Sequence, residues 1–331
     1  MSDDSIPCPP DPLYTLRPRA GEVTDLQFVT FSSASSGYLI TGTTFGRIGL
    51  WDLSSKRELW YQDCDNPILS VNSLPTNNYL LSQLRSNVVT AWDLEKECQL
   101  SSMSIDRTGF CKLAVLAEGA IQSNLSMDCF VVAHFERGKV NVYDYKTQSC
   151  MTTLSVETPG DRGMCMCVCM YNEESTGVTY VFGGFEDGSI VLWDTRQCQK
   201  ELASIKLFLE PVMCMAMDSE KSSIVAGSAT NIVEKVYFSK DKIQKKFSVE
   251  IKNPGVASLA VRNGGKIFCT GGWDGRIRIF GSKKGKHLAV LNYHSSTVNT
   301  CYFIQTSAQS VNSNLIVCGS KDERVSIWKI Y

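Results

Sequence analysis

Residues 187–194 read DGSIVLWD, from Asp187 to Asp194. Asp-Gly is turn chemistry, Ile190 to Leu192 is an apolar run, and Trp193-Asp194 ends it. A tight turn followed by a short apolar run reads as a hairpin entering a strand. The same segment recurs along the chain. FGRIGLWD ends at Asp52, SNVVTAWD at Asp93 and GKVNVYD at Asp144. Weaker copies are IVEKVYF ending at Phe238, DGRIRIF at Phe280 and DERVSIW at Trp328. With Trp51, Trp92, Tyr143, Trp193, Tyr237, Phe280 and Trp328 as markers, the steps are 41, 51, 50, 44, 43 and 48 residues. A period of this size signals a repeat of one supersecondary unit, with loop insertions between copies.

Each copy follows another strand-like run: GYLITGT, NYLLSQL, CFVVAHF, TYVFGGF, SSIVAGS, KIFCTGG and NLIVCGS. A further apolar strand precedes these pairs, for example VTDLQFVTF, ILSVNSL, MCMCVCMY and VMCMAMD. Alternation with period 2, as in GRIGLW with Ile48 and Leu50 on one face, is a strand pattern. No segment reads as a long amphipathic helix. Four strands repeated seven times is an all-β, seven-bladed propeller with one sheet per blade. The expected organisation is a single propeller over residues 1–331: a Pro-rich N-terminus at 1–12, a strand at 13–17, and blades near 21–61, 67–105, 109–156, 163–206, 210–249, 255–291 and 296–331. The chain reaches Tyr331 straight after the third strand of blade seven. LYTL, Leu13 to Leu16, is therefore expected to complete that blade and remove an exposed strand edge.

Composition narrows the function classes. The formal net charge is −1, from 33 basic and 34 acidic residues, without the basic excess of a nucleic-acid binder. The longest near-continuous apolar run, Met164 to Tyr171, is far short of the ~20 residues that span a bilayer. The opening MSDDSIPCPPDP is acidic and lacks an apolar h-region. Most of the 14 cysteines lie in strand-like runs, such as Cys214 and Cys318, where a reduced thiol packs as a small hydrophobe. A cytoplasmic and nuclear protein, monomeric alone, is expected.

WD dipeptides in seven such repeats resemble the G-protein β-subunit family of WD-repeat proteins, over essentially the whole chain. That family's pattern adds a Gly-His pair to each blade and a network of His, Ser/Thr, Asp and Trp. This chain departs from it. Of its three histidines, His134, His287 and His294, only His294 sits where the pattern wants one. Asp187, Asp274 and Asp322 fill the Asp position six residues before the aromatic, where blades one and two have Phe45 and Ser86. Most blades are thus expected to rely on apolar packing.

A narrower resemblance lies in PCPPDP (Pro7–Pro12), EPVM (Glu210–Met213), NPGVA (Asn253–Ala257), GGWDGRIRIF (Gly271–Phe280) and GSKDERVSIW (Gly319–Trp328). These motifs look like the guanine nucleotide-binding protein subunit beta-like protein 1 subfamily, related to the ASTRA-associated protein of fungi. The resemblance implies a non-enzymatic co-chaperone adaptor, acting with the Tel–Tti assembly to stabilise phosphatidylinositol-3-kinase-related kinases, and hence DNA-damage signalling. No G-protein γ-subunit is expected as a partner, because proline-rich residues stand where a coiled-coil helix would be needed. The alternative is a substrate receptor or subunit of a ubiquitin-ligase or chromatin complex.

Catalytic constellations are missing. G-x-S-x-G, H-E-x-x-H and G-x-x-x-x-G-K-S/T do not occur. The glycine-rich pieces TGTTFGR, FGGFEDGS and CTGGWDGR each lead from strand to strand, so none offers a phosphate the end of a helix. No cofactor, metal or catalytic residue is expected. Cys165, Cys167 and Cys169 alternate in MCMCVCM and are expected on one strand face, about 6.6–7 Å apart. That spacing suits packing better than a thiolate zinc site. The basic stretches SKDKIQKK (Ser239–Lys246) and SKKGK (Ser282–Lys286) read as solvated loops.

Turns between second and third strands surround one mouth of a propeller's channel. Phe45, Phe185 and Trp273 are expected in such turns, with Arg85 and Lys321 as a polar rim. Large aromatics in exposed turns are candidates for partner binding.

Overall fold

A computed structural model of the chain describes residues 11–31, 37–74, 79–107, 109–116, 125, 128–157, 162–173, 175–198, 200–218, 222–239, 241–304 and 314–330. The elements among these residues are all β-strands, 28 of them, in seven four-stranded antiparallel sheets. Blade one is built from Val23–Thr30, Gly37–Thr43, Arg47–Asp52 and Arg57–Asp63. Blade two has Ile68–Ser73, Tyr79–Leu84, Val88–Asp93 and Cys98–Ser104; blade three has Ala114–Val115, Cys129–Ala133, Lys139–Asp144 and Ser149–Ser155. Blade four has Cys165–Glu173, Val178–Phe185, Ser189–Asp194 and Ala203–Lys206; blade five has Val212–Asp218, Ser223–Ser228, Ile232–Ser239 and Lys242–Glu250. Blade six has Val256–Val261, Ile267–Gly272, Arg276–Gly281 and Lys286–Asn292; blade seven has Val298–Phe303, Leu315–Ser320 and Val325–Lys329.

First strands of neighbouring blades pack on one another right round the ring. Tyr14–Leu16 adds the fourth strand of blade seven, with Tyr14 opposite Ile327 and Leu16 opposite Val325. The ring therefore closes as the sequence implies, and Leu16 is buried at the closure.

The core is seven apolar clusters, one per seam between blades. Third-strand alternation explains them. The marker aromatic faces the preceding blade, as Trp193 does in the cluster of blades three and four. The residue before it faces the next blade, as Leu192 does in the cluster of blades four and five. Blade five corrects the marker read from sequence. Val236, not Tyr237, pairs with Ile224 and enters the core, while Tyr237 sits opposite Ser223. Tyr237 carries the ring, but the pleat puts it one residue out of phase.

The Asp after the aromatic in blades one to four has a local cause. Asp52 accepts the N–H groups of Ser54 and Ser55, Asp93 those of Glu95 and Lys96, and Asp144 those of Lys146 and Thr147. Asp194 does the same for Arg196. Each carboxylate folds the turn into the fourth strand.

Polar bonding beneath the aromatics varies between blades. Blade seven has the full chain. Trp328 donates to Ser326 at 2.8 Å, Ser326 meets His294 Nε2 at 2.7 Å, and His294 Nδ1 meets Asp322 at 3.0 Å. Blades one and two keep only the first link, Trp51 to Thr41 and Trp92 to Ser82. Blade three uses Asn141, Tyr143 and Asp106, and blade six binds Arg278 to Asp274. Asp187 closes its own turn on Ser189. The full network is thus confined to blade seven among the described residues, and the other blades add unrelated polar pairs to their apolar packing.

Candidate functional face

A cavity of about 590 Å³ runs into the ring from the face that carries the turns between second and third strands. Its walls come from the first strands of six blades and from Lys112 and Leu113, just before the first strand of blade three. The two sides differ in chemistry. Met166, Met213 and Met215 line it on blades four and five, whereas Asp25, Asn72, Asn299 and Thr300 line it on blades one, two and seven. Asp25 ties the polar side together by accepting from Val71 N, Lys112 Nζ and Thr300 Oγ1. Methionine is flexible and polarisable, and suits surfaces that adapt to varied apolar partners.

The turns at this mouth share a register. Thr44, Arg85, Glu186, Trp273 and Lys321 follow directly on the second strand of their blades, and Phe45 and Phe135 are one place further. Phe45 is 75% exposed and Trp273 44% exposed. Trp273 lies against Gly255, where an added Cβ would meet the indole at 2.2 Å. Gly255 has φ +93°, a left-handed conformation that favours glycine. The loop before blade six thus supports one face of the ring and leaves the other to solvent. Arg85 places its guanidinium 4.8 Å from the Phe110 ring centroid, and Lys321 lies 3.5 Å from Glu22.

Phe185 does not belong to this set. It ends the second strand of blade four, one residue short of the turn, and is fully buried. Its ring meets Trp193 edge-on at 6.1 Å. The Glu186-Asp187-Gly188 turn begins a residue later than the sequence reading assumes, so strand alternation directs Phe185 inward.

Four further residues complete the mouth: Phe110 at 67%, Phe135 at 54%, Met164 at 42% and Leu209 at 90% exposure. Their signal in sequence was a large apolar residue beside turn chemistry, as in Gly109-Phe110, Gly163-Met164 and Leu209-Glu210-Pro211. Among the described residues, the exposed large apolar side chains fall into two places. They lie in loops of this face, or on and beside the fourth strands, as with Leu13, Tyr61 and Leu288.

Other candidates disperse. A register shift between Cys165 and Cys167 breaks the alternation. Cys165 joins the cluster of blades three and four, while Cys167 and Cys169 join that of blades four and five. The expectation of one shared face is therefore wrong, because the bulge adds a residue. No group of three or more His, Cys, Asp and Glu among the described residues is placed to hold a metal. The 13 described cysteines are free thiols. Lys245 of the first basic stretch bonds Glu234 at 2.8 Å, and Lys246 bonds the Tyr237 hydroxyl. Residues 118–127, 157–163 and 305–313, the longer loops of the sequence, fall largely outside the described residues.

Comparison with known proteins agrees with this geometry. The family model described as "WD domain, G-beta repeat" matches residues 244–281 and 285–329. Each match runs from a fourth strand through the next blade's third. The chain is 35% identical over 162 residues to ASTRA-associated protein 1 of Schizosaccharomyces japonicus, covering 45% of this chain and 43% of that protein. It is 22% identical to ASTRA-associated protein 1 of Aspergillus niger, covering 89% and 80%. Guanine nucleotide-binding protein subunit beta-like protein 1 of Mus musculus is 32% identical over 335 residues, 98% of each chain. A WD-repeat ring with that likeness over its full length belongs to the family of guanine nucleotide-binding protein subunit beta-like protein 1.

Proposed function

We propose that the chain is a non-enzymatic adaptor of the cytosol and nucleus that holds partner proteins at the methionine-walled mouth. Its task is to support phosphatidylinositol-3-kinase-related kinases together with the Tel–Tti assembly. One observation carries the binding face: six large apolar side chains, from Phe45 to Trp273, stand exposed in loops around one end of the channel. Exposed aromatics in a ring, beside a wall of adaptable side chains, are the chemistry of an interface hot spot. The choice of partners rests on kinship. The fungal relatives are named for association with ASTRA, and the subfamily resemblance points to the same kinases.

The test is affinity purification of the tagged chain from its own cells, with mass spectrometry of the bound proteins. Tel–Tti subunits or the large kinases are expected with the native chain. Trp273→Ala should deplete them at least fivefold and keep the melting temperature within about 3 °C, since the residue is half exposed. Recovery of a ubiquitin-ligase core or chromatin subunits instead would overturn the reading.

A further inference from the structure

The seam where the ring closes carries a second surface, on the flank and apart from the mouth. The fourth strand of blade seven has three residues, Tyr14–Leu16, whereas that of blade one has seven. The short strand leaves a cleft of about 520 Å³ between the two blades. Trp51 lines it, and its charged lining is Arg17, Arg19, Arg47, Lys56 and Glu58. Four cations against one carboxylate contrast with a chain whose net charge is −1.

These cations are presented in two ways. Leu16, Pro18 and Ala20 are buried while Arg17 and Arg19 are exposed, so the segment turns both guanidiniums outward. Arg19 has φ +56°, which a non-glycine residue rarely adopts. Pro18-Arg19 thus has the residue types and backbone of a tight turn with Arg where glycine is usual. Neither Arg17 nor Arg19 makes an ion pair with a described residue. Arg47 is held in place by Asp63 at 2.8 Å and by the Tyr61 ring at 4.1 Å. Lys56 rests over the Tyr14 ring at 4.7 Å. Two anchored cations and two unpaired ones thus face one cleft. Burial raises the Glu58 carboxyl above its ordinary range, and Arg47 only partly offsets this. The one acid in the wall lies 3.9 Å from the Arg47 guanidinium.

We infer that this cleft binds a phosphorylated acidic peptide segment of a partner protein. A phosphoserine carries about −1.5 to −2 charges and three acceptor oxygens. Unpaired guanidiniums match such a group with paired N–H donors. Trp51 and Leu16 offer apolar contact beside it. A single carboxylate has half the charge and fewer acceptors, so phosphorylation should decide binding.

The probe is a fluorescein-labelled pool of nine-residue peptides. Phosphoserine is fixed at the centre, acidic residues fill the next two places, and the rest are randomised. The same pool with serine, and a labelled single-stranded DNA of ten nucleotides, serve as comparisons. Fluorescence anisotropy with the full chain should show the phosphorylated pool binding at least tenfold tighter than the serine pool. Arg17→Gln with Arg19→Gln should weaken it at least tenfold without lowering the melting temperature, because both residues are exposed. Arg137→Gln, an exposed arginine in the blade-three turn, should bind like the native chain. So should Trp273→Ala, which separates this site from the mouth. Equal binding of the serine pool, undiminished binding by the double variant, or tighter binding of the DNA would each overturn the inference.

Discussion

His294 is the one histidine of this chain that completes a buried polar relay, and its neighbours fix its proton. Trp328 donates to Ser326, whose hydroxyl also meets Nε2. The Asp322 carboxylate can only accept, so Nδ1 carries the hydrogen that it gives to Asp322. Burial alone would raise the Asp322 carboxyl, but the hydrogen bond and charge of His294, with Ser295 N–H, hold it below the usual carboxylate range. A carboxyl depressed on folding contributes stability above its unfolded pKa, about 3.9, and that stability is lost as the pH falls through the folded value. Asp322→Asn should therefore cost about 1–3 kcal/mol at pH 7. The variant's melting temperature should also fall less steeply than the native one below about pH 4. Parallel acid limbs in thermal scans would show that Asp322 does not carry this linkage.

At the scale of strands, the blades are spaced by glycine and bent by bulges. Gly42, Gly184, Gly227, Gly271 and Gly319 end or nearly end second strands, and each abuts the first residue of the next blade: Ile68, Val212, Val256, Val298 and Val23. A Cβ on Gly271 would sit 2.7 Å from the Val298 carbonyl oxygen, a backbone atom that cannot swing aside. Gly281, in the adjacent strand, has 3.8 Å of room. Gly271→Ala should thus destabilise by about 1–3 kcal/mol, while Gly281→Ala should stay within about 0.5 kcal/mol of the native chain. Equal denaturation midpoints for the two would refute the seam contact. These same strands show what a reader of the sequence could see. Seven blades and the closure at Leu16 were legible because period 2 and turn chemistry are local. The shift between Cys165 and Cys167 was not, since a bulge adds a residue without changing composition. Phe185 was misplaced for a related reason: one residue decides between strand end and turn, and hence between core and solvent. Trp273 and Phe45 were legible as aromatics beside Asp-Gly or Gly, whereas the basic cleft needs Arg17 and Lys56 brought together across a closure that sequence distance hides.

The whole ring is held by seven seams of unequal character. That of blades five and six has the smallest apolar cluster among the described residues. Lys235 occupies the position that faces the next blade, where other blades have Leu50, Leu192 or Ile279. It is wholly enclosed, 3.2 Å from Asp218, and also bonds Ser282 of blade six. Burial pushes its ammonium below the usual lysine range, and Asp218 pulls it back up. Desolvating both ions offsets much of their attraction, so the pair stabilises the ring little in net terms. Removing one partner is a different matter, because the other charge is left enclosed without compensation. Asp218→Asn should therefore cost about 3–5 kcal/mol, and adding Lys235→Met should recover most of it. A ring this circular has no free seam, so the loss should lower the single melting transition rather than release blade five alone. Chemical denaturation of the two variants measures the difference. If the double variant is no more stable than Asp218→Asn, the enclosed charge is not what the single substitution exposes, and the Lys235–Asp218 pair must be credited with net stabilisation of the seam.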